Sequence, residues 1–302
     1  MNARSQPDPA QSDLARAMAT LRALAAAVRA TPVQLSPGVP DSEAADARLA
    51  GGVPALHGEA LVRGADVDPG VAAVAAALAG TEVGSIAAAV RDRLHQAADW
   101  LDRDLVAHAA VNGDWDLVQS LAAPLEADPD ALVAVLDWAV RPALRSAAAA
   151  LAPVLAASSW ARGHCPACGA APTLSVMRGK ERERRLHCGR CGTSWAFDRV
   201  RCPSCGERDH RRLGYLHAEG EGEYRRAEVC DGCRTYVKSV SLLDEPDADR
   251  LLELDFETAA LDFLALEGGY ARAGASSLDA VEQPEITAAG RDPVEQHGAP
   301  VG

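Results

Sequence analysis

Eight cysteines constrain this chain more than any other feature, because all of them fall between residues 165 and 233 as four C-x-x-C pairs. The pairs read Cys165-Pro-Ala-Cys168, Cys188-Gly-Arg-Cys191, Cys202-Pro-Ser-Cys205 and Cys230-Asp-Gly-Cys233. A two-residue gap lets both thiolates of a pair reach one ion across a tight turn. Gly169, Gly192 and Gly206 follow the second cysteine of three pairs and free the backbone to bend round that ion. Each pair is thus half of a tetrahedral site. A thioredoxin-type dithiol is a single pair opening a helix, so four pairs point to metal rather than to redox dithiols or local disulfides.

The sequence between the pairs suggests how they combine. Thr173–Met177 and Arg184–His187 flank a polar turn at Gly179-Lys180, and Arg212–Leu216 and Glu223–Ala227 flank Gly220 and Gly222, so the two outer intervals read as hairpins. This favours sequential pairing: Cys165, Cys168, Cys188 and Cys191 as one site, Cys202, Cys205, Cys230 and Cys233 as the other. A crossed arrangement, with the first and third pairs sharing an ion, stays open because spacing alone does not fix connectivity. Closed four-thiolate sites leave no position for a substrate, and a scaffolding role is expected of them. His164 and His187 stand beside cysteines as candidates for a supporting or surface role, and Trp195 and Phe197 are expected to cover the first site.

The half of the chain before the cysteines is a different kind of object. Every Tyr and Phe lies after Cys165, and the first 160 residues are built on Ala, Leu and Val. Leu14, Ala17, Leu21, Leu24 and Val28 recur at helical steps, as do Ile86, Val90, Leu94, Ala97, Leu101 and Leu105. Asp128 before Pro129 is a helix start, with Pro142 expected to kink or end that helix. Trp100, Trp115 and Trp138 are expected to fill gaps between alanines, and His95 is placed to pair with Asp99. Near the end, Leu252, Phe256, Ala259, Phe263 and Leu266 mark one face of a last helix stopped by Gly268-Gly269.

The expected fold is α+β: an N-terminal helical bundle, two rubredoxin-like or zinc-ribbon-like metal knuckle modules, and a C-terminal helix. The expected divisions are a flexible 1–11, a helical domain over 12–160 with a long loop at 31–70, ribbons over 161–200 and 201–242, a C-terminal helix within 243–272, and a disordered acidic tail over 273–302. Arg16, Arg22 and Arg29 interrupt any signal-peptide core, and no window is apolar enough to span a membrane. The expected compartment is the reducing cytoplasm, which again favours metal over disulfides. Residues 160–240 carry sixteen Lys and Arg against ten Asp and Glu, within a chain of net charge −13. Much of that local excess can offset thiolate charge.

The run from Leu186 through Trp195 and Arg199 to Cys205, with Gly163–Pro172 before it and Cys230–Lys238 after it, resembles the formate dehydrogenase accessory protein family, FdhE. Glu267-Gly-Gly-Tyr-Ala-Arg272 is similar to that family's closing motif, and the resemblance is specific from about residue 150 to 273. It implies a cytoplasmic, non-enzymatic accessory factor with two metal ions, iron favoured over zinc, acting on the catalytic subunit of formate dehydrogenase without joining the finished enzyme. Arg178, Arg199, Arg201, Arg225, Tyr270 and Arg272 are then candidates for the partner surface. Self-association is compatible with the sequence. No P-loop, dinucleotide fingerprint or nucleophile motif argues for an enzyme. Two other classes compete: a nucleic-acid-binding zinc ribbon, which the acidic whole disfavours, and an iron-based electron carrier.

Overall fold

The computed structural model describes residues 9–35, 38–218 and 224–272. Among the described residues, eight helices precede the first cysteine: α1 (Pro9–Ala30), α2 (Ser42–Ala50), α3 (Gly64–Ala77), α4 (Glu82–Gln96), α5 (Arg103–Asn112), α6 (Trp115–Ser120), α7 (Pro129–Ala150) and α8 (Ala152–Ala157). Side chains start most of them. Asp41, Thr81, Asp102, Asp114 and Asp128 each accept a hydrogen bond from an amide in the first turn that follows, satisfying a donor that the helix itself cannot.

The central element is α7, which packs on α3, α4, α5 and α6. Its Leu132, Val135, Leu136 and Ala139 are buried as their spacing predicts. Pro142 does not end it. The residues beyond, Ala143, Leu144, Ala147 and Ala148, are also buried, and this packing outweighs the hydrogen bond that proline forfeits. The stripe from Ile86 to Leu105 is divided between α4 and α5, with a break before the capping Asp102, and its two end residues are exposed. His95 and Asp99 are exposed and make no mutual contact, and Trp100 is 56% exposed rather than in the core. The flexible segment expected over 1–11 overlaps the start of α1 at Pro9, while residues 1–8 and the tail from 273 lie outside the described residues.

The long loop expected over 31–70 is more ordered than its composition suggests. It contains α2, and α3 begins at Gly64, whose amide donates to Asp104 Oδ1 at 2.6 Å, so that Pro69 falls inside the helix. Between these helices Ala55, Leu56, Leu61 and Val62 are buried, with the amides of Ala55 and Leu56 donating to the carbonyls of Pro166 and Ala167 at 2.8 and 2.9 Å. The loop is a strap tied backbone to backbone onto the first cysteine turn.

After the first cysteine pair come β1 (Leu174–Arg178), β2 (Glu183–His187), β3 (Ser194–Ala196), β4 (Leu213–Leu216), β5 (Arg225–Cys230) and β6 (Thr235–Leu242). Each cysteine ribbon is an antiparallel meander of three strands. The ribbons are not separate modules, because β1 pairs in parallel with β6 and joins them into one sheet of order β3-β2-β1-β6-β5-β4. Arg184, 3% exposed, adds a side-chain tie: it donates to Ser175 on β1, to the carbonyls of Asp198 and Arg201, and to Glu228 on β5.

One face of the sheet is covered by two helices, α9 (Ala248–Glu257) and α10 (Ala259–Glu267), where one was expected. Past its first residue the expected stripe is also off by about one position. Leu252 is buried as expected, but the other buried residues are Leu251, Leu254, Thr258, Leu261 and Ala265, whereas Phe263 and Leu266 are 68% and 51% exposed. Leu251 and Leu254 pack on Leu174, Val176 and Val240, and Leu261 and Ala265 on Ala227, Val229 and Tyr236. Beneath them Lys238 is 1% exposed, its Nζ bonded to Asp255 and Asp262 at 2.8 and 2.6 Å. A short strand β7 (Ala271–Arg272) closes the described chain in parallel against β6.

Candidate metal centres

The cysteine turns repeat one backbone motif. The amides of Gly169, Gly192 and Gly206 each donate to the carbonyl of the first cysteine in their pair at 3.0 Å, and Arg234 does the same in the fourth pair at 2.8 Å. The three glycines have φ between +78° and +79°, the left-handed region that a side chain resists. In the fourth turn Arg234 takes that conformation at φ +56°. It is held there by Asp231, 2.9 Å away, by the Gly268 carbonyl at 2.6 Å and by the Tyr270 ring at 3.9 Å.

These turns bring the thiols together sequentially. Cys165, Cys168, Cys188 and Cys191 form one cluster, and Cys202, Cys205, Cys230 and Cys233 the other, with all sulfurs of a cluster within 4.8 Å of one another. The crossed alternative is absent from this geometry. In the first cluster Cys165–Cys191 and Cys168–Cys188 are 3.5 Å apart, and in the second Cys202–Cys233 and Cys205–Cys230 are 3.7 Å apart. A tetrahedron of sulfurs about 2.3 Å from a central zinc has edges of about 3.8 Å. The residues present therefore fit a four-thiolate ion in both places. Soft thiolate sets accept iron as well as zinc.

The clusters differ in their surroundings. All four cysteines of the first are buried in the same apolar core as the helices, together with Trp160, Trp195 and Phe197. In the second, Cys205 is exposed and Cys233 half-buried. The first cluster is bolted to the helical body by Arg190, which lies between Cys188 and Cys191. Its Nε donates to Asp137 Oδ1 at 2.6 Å and its Nη2 to the Ala110 carbonyl at 2.7 Å, and its guanidinium stands 5.0 Å from the Trp115 ring. Arg141, one turn along α7, holds the other Asp137 oxygen at 2.6 Å. Burial pushes the Asp137 carboxyl up, but the two guanidinium groups outweigh it and hold it below the usual carboxylate range.

Trp195 and Phe197 lie where the sequence places them, with Trp195 Nε1 donating to the Arg162 carbonyl at 3.0 Å. Neither neighbouring histidine enters a cluster. His164 sits edge-on to Trp160, and His187 is 3% exposed, where burial lowers its pKa to about 4 and keeps it neutral. Of the candidate partner residues, Arg178 pairs with Glu183 and Glu245, Arg201 bonds the Ala161 carbonyl, Arg225 pairs with Glu257, Tyr270 bonds Asp231, and Arg272 pairs with Asp255. Arg199 is exposed, and no hydrogen bond or ion pair engages its side chain among the described residues.

Two supporting features escaped the sequence reading. The hydroxyls of Thr193 and Thr235 lie 3.2 and 3.1 Å from the sulfurs of Cys191 and Cys233, so each cluster has one threonine two residues after its last cysteine. The repeated Cys-x-Thr at Cys191 and Cys233 was the available signal. The strap at Ala55 and Leu56 had none, since its role is fixed by a partner over a hundred residues away.

Comparison with known proteins bears directly on this arrangement. Two family models match, described as "FdhE, central domain" over residues 164–199 and "FdhE, C-terminal domain" over residues 200–278. A "Protein FdhE homolog" of Pseudomonas aeruginosa is 31% identical over 229 residues, covering 73% of this chain and 69% of that protein. The chain belongs to the FdhE family. An FdhE homologue of Stutzerimonas stutzeri is 37% identical over 111 residues, covering 36% of this chain and 35% of its own length. Over the longer span the fold agrees: the crystal structure of the FdhE protein from Pseudomonas aeruginosa matches with a TM-score of 0.60 and 28% identity, covering 88% of each chain. The FdhE likeness therefore extends beyond the cysteine ribbons into the helices before them.

Proposed function

We propose that this chain is a cytoplasmic accessory factor for formate dehydrogenase that binds the immature catalytic subunit through its cysteine-ribbon sheet. Each four-cysteine cluster holds one iron or zinc ion, iron being favoured. Membership of the FdhE family is the observation that carries this reading. The geometry agrees with it: four thiolates close the coordination of an ion, which suits a scaffold more than a catalyst. Among the described residues no helix is long and apolar enough to cross a membrane. The chain is read as a non-enzyme that leaves the mature complex, so its contact is stronger with the immature subunit than with the mature one.

The test is a deletion strain combined with capture. Loss of formate oxidation on deletion, restored by the wild-type chain, and capture of the catalytic subunit by the purified protein are the expected results. Intact formate oxidation together with no capture defeats the reading. Elemental analysis and colour of protein purified without added metal decide the ion, since a colourless, zinc-only preparation removes iron and with it any electron-carrier role. Arg272 is unsuited to testing the surface because its pairing with Asp255 is part of the fold. Arg199 is suited, being exposed.

A further inference from the structure

We infer that the docking surface is the open edge of β4 together with the arginine-lined groove beside it, and that its occupant is an extended acidic segment of the immature catalytic subunit. The inference rests on the accessory-factor reading above and adds the place and mode of contact. The sheet order ends at β4, which pairs only with β5 among the described residues. The direction of its free groups follows from parity. Arg212 accepts from the Asp231 amide at 2.8 Å across the pair that precedes Leu213–Cys230, so residues 212, 214 and 216 turn their backbone toward β5. On the far side of β5, Tyr224 and Cys230 accept from Ser241 and Arg234 at 2.8 Å, as the same alternation requires. Leu213 and Tyr215 consequently direct N–H and C=O outward, with no strand among the described residues to receive them.

Short, charged edges are also how sheets deter pairing, so the open edge alone does not make a site. What distinguishes this one is the surface beside it. A groove of about 270 Å³ runs between β4 and the segment 199–203, with Arg199, Arg201, Arg226 and His210 in its walls and Cys202 and Cys230 of the second cluster among its lining. Its carboxylate, Glu228, is already shared between Arg184 and Arg226. Among the described residues Arg199 is exposed and unpaired and Arg201 Nε is buried without a hydrogen-bond partner, which leaves the groove cationic within a chain of net charge −13. Tyr215 and Val200 add apolar surface, being 50% and 55% exposed. A strand added to β4 would pair the two outward backbone positions, lay alternate side chains over Tyr215 and Val200, and bring carboxylates to Arg199. A row of peptide groups matches another polypeptide backbone and has no counterpart in a phosphate chain, so protein is favoured over nucleic acid.

Residue-resolved hydrogen–deuterium exchange tests this on the full metal-loaded chain, free and with the formate dehydrogenase catalytic subunit produced without its cofactors. The amides of Leu213 and Tyr215 are expected to exchange freely alone and to slow by about tenfold or more in the complex, while those of Gly214 and Leu216 are slow in both. Arg199→Glu is expected to weaken binding about tenfold with metal content unchanged, and Arg93→Glu, on the exposed side of α4, to leave it unchanged. A complex that forms while Leu213 and Tyr215 stay open, or that tolerates Arg199→Glu, overturns the docking surface and leaves the accessory reading standing. Failure of the wild type to form any complex defeats both. Protection of these amides by single-stranded RNA but not by the subunit would assign the face to nucleic acid and overturn the proposal.

Discussion

Arg190→Ala is the sharpest test of how the first cysteine cluster is joined to the helices. The Arg190 and Asp137 side chains are only 13% and 17% exposed, so the pair is largely out of water. Truncation removes a 2.6 Å charge-assisted bond to Asp137, a 2.7 Å bond to the Ala110 carbonyl, and the contact with Trp115. Breaking a buried pair from one side costs about 3–5 kcal/mol. Because Arg141 keeps its hold on Asp137, the lower end, about 3 kcal/mol, is expected. In a protein of this size each kcal/mol moves the thermal midpoint by about 2–4 °C, so the melt should fall by about 6–12 °C. Calorimetry of metal-loaded protein, with metal content checked before and after, reads the change. Arg208→Ala is the control, since its pair with Asp198 is 63% and 53% exposed and contributes about 1 kcal/mol or less. A shift for Arg190→Ala no larger than the control's, at equal metal content, would refute the bolt. The pH dependence follows from the lowered Asp137 carboxyl. Its folded value lies below its unfolded one, so its contribution is full above the unfolded carboxylate range and is lost as pH falls through the folded value. The gap between wild type and Arg190→Ala should therefore narrow in acid.

Three further outcomes are expected. Elemental analysis should give two ions per chain, and a chelator should remove them in two phases, the second cluster first because Cys205 is exposed while the first cluster is sealed; a single phase would contradict the difference in access. Metal binding at such sites carries about 10–16 kcal/mol of apparent free energy, and the first cluster lies within the helical core. Cys188→Ser should accordingly open cleavage sites in α1–α8 under limited proteolysis, whereas Cys202→Ser should confine them to residues 201–242, and the same cleavage pattern in both variants would show the clusters to be equivalent. Lys238→Ala, which strands Asp255 and Asp262 beneath the sheet, should lower stability by about 3–5 kcal/mol in chemical denaturation, and a loss below about 1 kcal/mol would mean that Arg272 neutralises both carboxylates unaided.

What could be read from the sequence was what is encoded locally. Three of the four cysteine turns are self-contained: a two-residue gap and a left-handed glycine specify each without reference to the rest of the chain, whereas the fourth puts Arg234 there and relies on Gly268 and Tyr270 to hold it. Asp128-Pro129 likewise starts α7 by its own chemistry. The C-terminal stripe was misplaced because apolar residues are adjacent along it. Leu251 and Leu252 both qualify as core by periodicity, and only the position of β1 and β6 selects Leu251 with Leu254 for the sheet face. The union of the two ribbons was illegible for a stronger reason. Parallel pairing of β1 with β6 depends on strands whose sequences look alike as edges or as neighbours, and no turn links them. The strap at Ala55 and Leu56 combines both difficulties, an aperiodic segment whose burial depends on a distant turn.

The parallel pair also sets an order of events during synthesis. Leu174 meets Lys238, so β1 leaves the ribosome more than sixty residues before its partner. At usual elongation rates that is a delay of about 3–13 s. Throughout it, the first ribbon can gather its four cysteines and make its hairpin, yet β1 presents one bare edge, and Leu174 and Val176 lack the cover later given by Val240, Leu251 and Leu254. A nascent chain stalled between residues 200 and 235 is therefore vulnerable to pairing with another stalled copy through β1. Completing β6 shields that edge from the neighbouring ribosome's product.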